Sequence, residues 1–209
     1  MGYFRAGFDV VGVDNKPQPH YPFEFHLADA FDYCHEHAGE FDVIHASPPC
    51  QGYSKMRHLP WLKNKNYPLL IAQTRETLQS SGKLWVIENV SDAPLNGAVL
   101  CGLAVGLPLL RHRRFESNIL LLFPPCPRHP VINKGHDKLM GRKREGGVMG
   151  VLPGYTAREA TGIDWMSLME IRQAIPPAYT ELIGRQLVQV IENKADQPGM
   201  YYPVSAEVK

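Results

Sequence analysis

Short apolar runs alternate with stretches of helical spacing through the first half of the chain. Asp9-Val-Val-Gly-Val-Asp14 is a β-branched run closed by an acid, and Phe23-Glu-Phe-His-Leu27 alternates with period two. Phe41-Asp-Val-Ile-His45 and Leu84-Trp-Val-Ile87 are two further strand-like runs. Between them, Leu70, Ile71, Thr74 and Leu78 fall on one face, which predicts a helix within 67–78. This rhythm predicts an α/β fold with a mostly parallel sheet covered by helices. From Ser117 to Asp164 the pattern breaks into a Pro- and Gly-rich stretch, and helical spacing resumes over 165–172 and 179–192. The chain has no internal repeat, and its tail after Asp196 is polar and interrupted by Pro198 and Pro203.

The polar residues sit where such a sheet gathers its chemistry. In open parallel sheets, reacting groups collect beyond the carboxyl ends of the strands. Asp14, Asp29, Ser47 to Gln51 and Glu88-Asn89 each follow directly on a predicted strand. Their order predicts a single cleft.

Three segments carry candidate chemistry. In Ser47-Pro-Pro-Cys-Gln-Gly-Tyr-Ser54 two prolines stiffen the loop, so the Cys50 thiol is presented in a fixed direction. The alternative is an inert cysteine packed in a turn. Glu88-Asn89-Val90 follows the next strand. Neighbouring parallel strands lie roughly 5 Å apart, so both loop tips can face one small ring. A desolvated carboxyl there stays protonated and donates to a ring nitrogen; a cap or salt bridge is the alternative. In Arg111-His-Arg-Arg-Phe-Glu116, a strand puts Arg111 and Arg113 on one face and His112 and Arg114 on the other. Paired guanidinium groups lower a thiol pKa or hold a base or phosphate; a solvated charge run is the alternative.

Composition narrows this picture only slightly. The 209 residues, 44% hydrophobic and 21% charged, suit one globular domain. Lys+Arg 22 against Asp+Glu 21 leaves a net charge of +1, so nucleic-acid binding requires a local basic face. Cys34, Cys50, Cys101 and Cys126 are scattered, without a disulfide framework. With no signal core and no bilayer-length apolar run, the expectation is a soluble cytoplasmic protein with no membrane attachment. Cys126-Pro-Arg-His129 invites a zinc site that only Cys101, His112 and His136 could complete. Four ligands at suitable spacing are required, so the sequence assigns no metal. Cys34-His-Glu-His37 reads as an exposed helix end.

Pro49-Cys50-Gln51, Glu88-Asn89-Val90 and Arg111-x-Arg113 stand in the order and rough spacing of the DNA cytosine C5-methyltransferase family. Met169-Glu-Ile-Arg-Gln-Ala-Ile-Pro-Pro-Ala-Tyr-Thr180 resembles that family's C-terminal signature, with Arg172-Gln173 replacing a Gly-Asn pair. The similarity runs from Met1 to about Val190, loosely in the middle. It implies a Rossmann-like methyltransferase fold, S-adenosyl-L-methionine as cofactor and double-stranded DNA as partner. It further implies that Cys50 adds to C6 of a flipped cytosine, Glu88 supports N3, and Arg113 holds the base oxygen beside Arg111. By the same resemblance Asp14 meets the cofactor ribose, Asp29 the adenine amino group, and Pro49 flanks the cofactor; a helix cap is the alternative for each acid. Gln51 and Ser54 face the nucleic acid.

Two departures from the family qualify that expectation. Its opening strand and Phe-x-Gly-x-Gly turn are missing, because Met1-Gly-Tyr-Phe-Arg-Ala-Gly7 looks like the helix after that turn. The expectation is a shortened chain, or one that binds the cofactor poorly. The recognition insert is also short, as in small phage-encoded members, including those of restriction-modification systems. Within it, Lys138, Arg142, Lys143 and Arg144 suit a loop tracking phosphates, or a solvated one. The expected organisation is a catalytic core over 1–116, a minimal recognition insert over 117–164, completing helices over 165–195 and a tail over 196–209. A DNA-binding relic or partner subunit is one alternative function. Methylation of transfer-RNA cytosine is another, which Gln51 without a following Phe-Thr disfavours.

Overall fold

The computed structural model describes residues 1–54, 65–129 and 150–196. Helix α1 (Gly2–Arg5) leads into strands β1 (Val11–Asp14) and β2 (Glu24–Leu27), then α2 (Ala30–His37) and β3 (Val43–Ala46). Helix α3 (Ile71–Ser80), β4 (Leu84–Val90), β5 (Ala98–Cys101) and β6 (His112–Ser117) follow. Helices α4 (Ala157–Thr161), α5 (Leu168–Ile171) and α6 (Pro177–Asp196) complete the fold. Each apolar run of the first half forms a strand, and the 70–78 face lies on α3. The protein is α/β, and none of its described helices is long and apolar enough to cross a membrane.

The expectation of one mostly parallel sheet is corrected. Strands β1 and β2 form a parallel pair of their own, and a second sheet has the order β3-β4-β6-β5. Strand β4 is parallel to β3 but antiparallel to β6, which is antiparallel to β5. The cause is the β5–β6 connection, which reverses through a 3-10 turn at Gly102–Val105 and a left-handed Gly106 (φ +76°). So short a link cannot make the crossover that a parallel pair needs.

Strand β4 is the axis of this sheet. All of its residues but Val90 are buried. Leu84 and Val86 join a core with Leu100, Phe115, Leu121, Tyr179, Ile183 and Leu187, while Trp85 and Ile87 join one with Ile71 and Leu78. Alternate side chains therefore feed opposite faces, which is why the run is continuously apolar. The last three residues of the first core recur every fourth position along α6, the spacing of one helical stripe.

Leu121 belongs to the first core, and Ala157 and Ile163 pack with Leu109 and Ile171 in a third. Both described ends of the 117–164 interval are thus anchored in the body of the protein. Cys34, placed by sequence on an exposed helix end, is half-buried against the core around Ile71. Helix α3 is clamped to β6 by a two-pronged ion pair: Arg75 Nε and Nη2 donate to Glu116 Oε1 and Oε2 at 2.6 and 2.8 Å.

Gly97, just before β5, packs tightly on β6, because a Cβ there would overlap the carbonyl of Phe115. Gly97→Ala is expected to destabilise the protein by about 1–3 kcal/mol, the usual cost of overpacking. Urea unfolding reads this, with Gly39→Ala as control, since a Cβ at Gly39 meets nothing within 4 Å. Equal midpoints for the two variants would refute the tight β5–β6 approach.

Candidate active site

Cys50 is held by contacts on either side of it. Upstream, Asn89 at the end of β4 donates through Nδ2 to the Pro48 carbonyl at 2.8 Å. Downstream, the amides of Tyr53 and Ser54 donate to the Cys50 carbonyl at 3.1 and 3.0 Å, closing one turn. The Tyr53 hydroxyl accepts the amide of Ile71, first residue of α3, at 3.1 Å. The thiol is free and half-buried. Around it Pro49 and Gln51 are exposed and Ser54 is half-buried.

Glu88 meets this loop through strand register. Parallel pairing of His45 with Val86 and Ala46 with Ile87 brings Ser47 level with Glu88, and the Ser47 side chain hydrogen-bonds its carboxyl. Glu88 is only 6% exposed. Burial pushes its carboxyl above the ordinary value, against the opposing pull of Arg113, Arg111 and the Ser47 bond.

The two arginines differ in what they are free to do. Arg113 Nε lies 2.9 Å from Glu88 Oε1, yet its N–H is aligned on no acceptor among the described residues. The contact is an ion pair by distance, without a directed hydrogen bond. Arg111 is committed: Nη1 and Nη2 donate to the carbonyls of Ile171 and Arg172 at 3.3 and 2.8 Å. The Tyr179 hydroxyl donates to the Arg111 carbonyl in turn. Burial and Arg113 pull the Arg111 guanidinium down to about 10, partly offset by Glu88, Tyr179 and Cys50. Arg111 thus ties α5 and α6 to β6 while adding its charge to the Cys50–Glu88 neighbourhood.

A cavity of about 500 Å³ opens between β1 and β3, lined among others by Tyr3, Asp14, Tyr21, His45, Ser47 and Trp165. Ser47 is shared between this cavity and the Glu88 contact. The Asp14 carboxylate accepts from the Lys16 amide at 2.9 Å and from Gln18 Nε2 at 3.1 Å. A carboxylate has about four lone-pair sites, so acceptor capacity remains. Asp29 is placed elsewhere: exposed, off the cavity wall, and capping α2 by accepting the amides of Phe31 and Asp32 at 2.8 and 3.3 Å.

His45 is a site residue that the sequence reading passed over. Its Nδ1 lies 2.5 Å from the Tyr3 hydroxyl and its Nε2 3.3 Å from Ser47 Oγ. Burial pulls its pKa down to about 4, so the ring is neutral at physiological pH. Its only sequence signal is a polar residue ending an apolar strand. Lys138, Arg142, Lys143 and Arg144 lie outside the described residues. No family model and no curated protein matches this chain, so its geometry and sequence motifs alone carry the functional reading.

Proposed function

We propose that this chain transfers a methyl group from S-adenosyl-L-methionine to C5 of cytosine in double-stranded DNA, on a Rossmann-like methyltransferase fold with Cys50 as nucleophile. The observation that supports it best is the convergence at one strand end of a half-buried free thiol, a carboxyl whose pKa burial raises, and a guanidinium with an unaligned donor. Helices on both faces of the larger sheet agree with the fold.

Each group has a task that cytosine demands. C5 is a weak nucleophile until a thiolate adds to C6, which forms the S–C6 bond and moves the C5–C6 π electrons into the ring. Glu88 gives its proton to N3 as that charge develops, and Arg113 turns its free N–H to the base oxygen. C5 then carries the electron pair that would form the new carbon–carbon bond, with the cofactor's methyl–sulfur bond breaking and its electron pair left on sulfur. Loss of the C5 proton to a base, return of the N3 proton to Glu88 and departure of the Cys50 thiolate restore the neutral aromatic ring. A stacked base exposes neither face to a thiol, so the cytosine is flipped out of the duplex. Gln51, exposed beside Cys50, would face the DNA that the base leaves.

The cavity between β1 and β3 fits the adenosyl part of the cofactor in size and chemistry. Its volume, about 500 Å³, lies in the range of small-molecule sites. Asp14 would hold the ribose hydroxyls, and Tyr21 and Trp165 supply aromatic wall. Bound there, S-adenosyl-L-methionine supplies an electrophilic methyl group. Asp29 has no place in this proposal, because it caps α2 away from the cavity wall.

Incubation with DNA containing 5-fluorocytosine and cofactor traps the adduct, because fluorine cannot leave as the C5 proton does. The wild-type chain is expected to give a denaturant-stable protein–DNA adduct, and Cys50→Ser none. DNA binding without any adduct overturns the enzyme reading in favour of a binding protein, and adducts on transfer RNA alone overturn the choice of DNA.

Glu88→Gln is expected to slow adduct formation about 10²- to 10⁴-fold, the usual weight of a general acid. Glu88 must be protonated to act, so the wild-type rate falls as pH rises through its raised pKa. Glutamine cannot ionise, so that alkaline decline disappears in the variant. A single-turnover pH profile with the same decline in both proteins would remove Glu88 from the mechanism.

A further inference from the structure

On the face of β6 turned away from Arg111 and Arg113, four ligand-type side chains converge. Cys101, His112, Cys126 and His129 each offer one sulfur or ring nitrogen, and these four atoms all lie within 4.8 Å of one another. Cys101 Sγ is 3.5 Å from His129 Nε2, Cys126 Sγ is 3.0 Å from the same nitrogen, and His112 Nε2 is 3.4 Å from Cys126 Sγ. We propose that Cys101, His112, Cys126 and His129 form a structural zinc site.

The distances suit that ion. Zn–S bonds of about 2.3 Å and Zn–N bonds of about 2.0–2.1 Å at tetrahedral angles put sulfur and nitrogen about 3.5 Å apart. Hydrogen bonding alone accounts poorly for the cluster. His129 Nε2 faces two sulfurs, and a neutral imidazole nitrogen has one lone pair or one proton, which cannot be aimed at both. A cation at the centre meets all four donors at once. Two thiols with two imidazoles are a soft, tetrahedral donor set, which selects zinc over magnesium or calcium.

Local structure prepares the site. Cys101 and His112 are direct cross-strand partners in the β5–β6 register, so the sheet fixes two ligands before any ion arrives. The His112 ring also hydrogen-bonds the Leu110 backbone while its Nε2 faces sulfur, the outer contact that orients a metal-binding imidazole. Cys126 and His129 supply the other pair from the exposed segment after β6, three residues apart. Cys101 is buried and that second pair exposed, which leaves the ion a route from solvent. Four protein ligands close the coordination sphere, so the ion's role is to staple the 118–129 segment to the β5–β6 edge.

The full-length chain, purified under reducing conditions without chelators, is expected to hold about one zinc ion by mass spectrometry of metals, as a closed four-ligand site does. Cobalt(II) exchanged into the wild-type protein should show intense ligand-field bands and a thiolate charge-transfer band. Cys126→Ser and His129→Gln are expected to lose most of the zinc and unfold at lower temperature. Cys34→Ser, a thiol outside the cluster, should keep both. Wild-type protein that is folded, has reduced thiols and takes up neither zinc nor cobalt at stoichiometric concentration overturns the site. So does full zinc retention in both cluster variants.

Discussion

Burial of β4 on both faces sets the terms for everything at its carboxyl end. A strand whose alternate residues enter two cores carries its last side chains out of water whatever their polarity. Glu88 and Asn89 are those side chains, 6% and 1% exposed. Asn89 resolves its burial locally, donating to Pro48 and accepting from the Val90 amide at 2.9 Å. By doing so it fixes the Cys50 loop. Glu88 cannot resolve its burial so fully, since the neighbouring arginines and serine leave its carboxyl above the ordinary pKa. Desolvation is therefore what makes this carboxyl chemically distinct, and it follows from strand placement before any substrate is considered.

A second buried acid on the same sheet shows what full compensation looks like. Glu116 on β6 is 5% exposed, yet it receives both prongs of Arg75 and the Asn96 amide at 2.7 Å. Its oxygens are satisfied, and its work is to fasten α3 and the 94–97 turn to the sheet. Glu88 faces an arginine whose Nε–H is misaligned. Truncating one partner of a buried ion pair costs about 3–5 kcal/mol, so both pairs matter for stability. Only the Glu88 pair holds hydrogen-bonding capacity in reserve, and reserve is what a substrate can engage.

The sequence made local structure legible and left spatial relations largely hidden. β-Branched runs and the spacing of Ile71, Thr74 and Leu78 announced strands and a helix because each reflects contacts within one element. Strand direction depends on partners and connections, so the antiparallel placement of β6 escaped the β-then-α rhythm. Asp29 shows the same ambiguity: an acid just after one strand also stands just before a helix, and here it accepts the amides of Phe31 and Asp32. His45 was hidden within an apolar run, and only the fold brings Tyr3 to its ring. The four-ligand cluster was legible only as a set of candidates around Cys126 and His129, because Cys101 and His112 become neighbours only through β5–β6 register.

Strand β6 joins the two candidate sites, and its pleat keeps them apart. Arg111 and Arg113 address the Glu88 face, while His112 between them turns to Cys126 on the other. An ion held by two thiolates and two neutral imidazoles has its double positive charge cancelled by the sulfurs. Such a site stiffens the strand without adding net charge behind it. The positive field at the thiol then remains that of the two arginines, one anchored to the carbonyls of Ile171 and Arg172 and one paired with Glu88. A lone bound cation would instead compete with them for the Glu88 carboxyl and favour its ionised form. Neutral coordination on the far face is thus the arrangement that leaves the burial-raised pKa of Glu88 undisturbed.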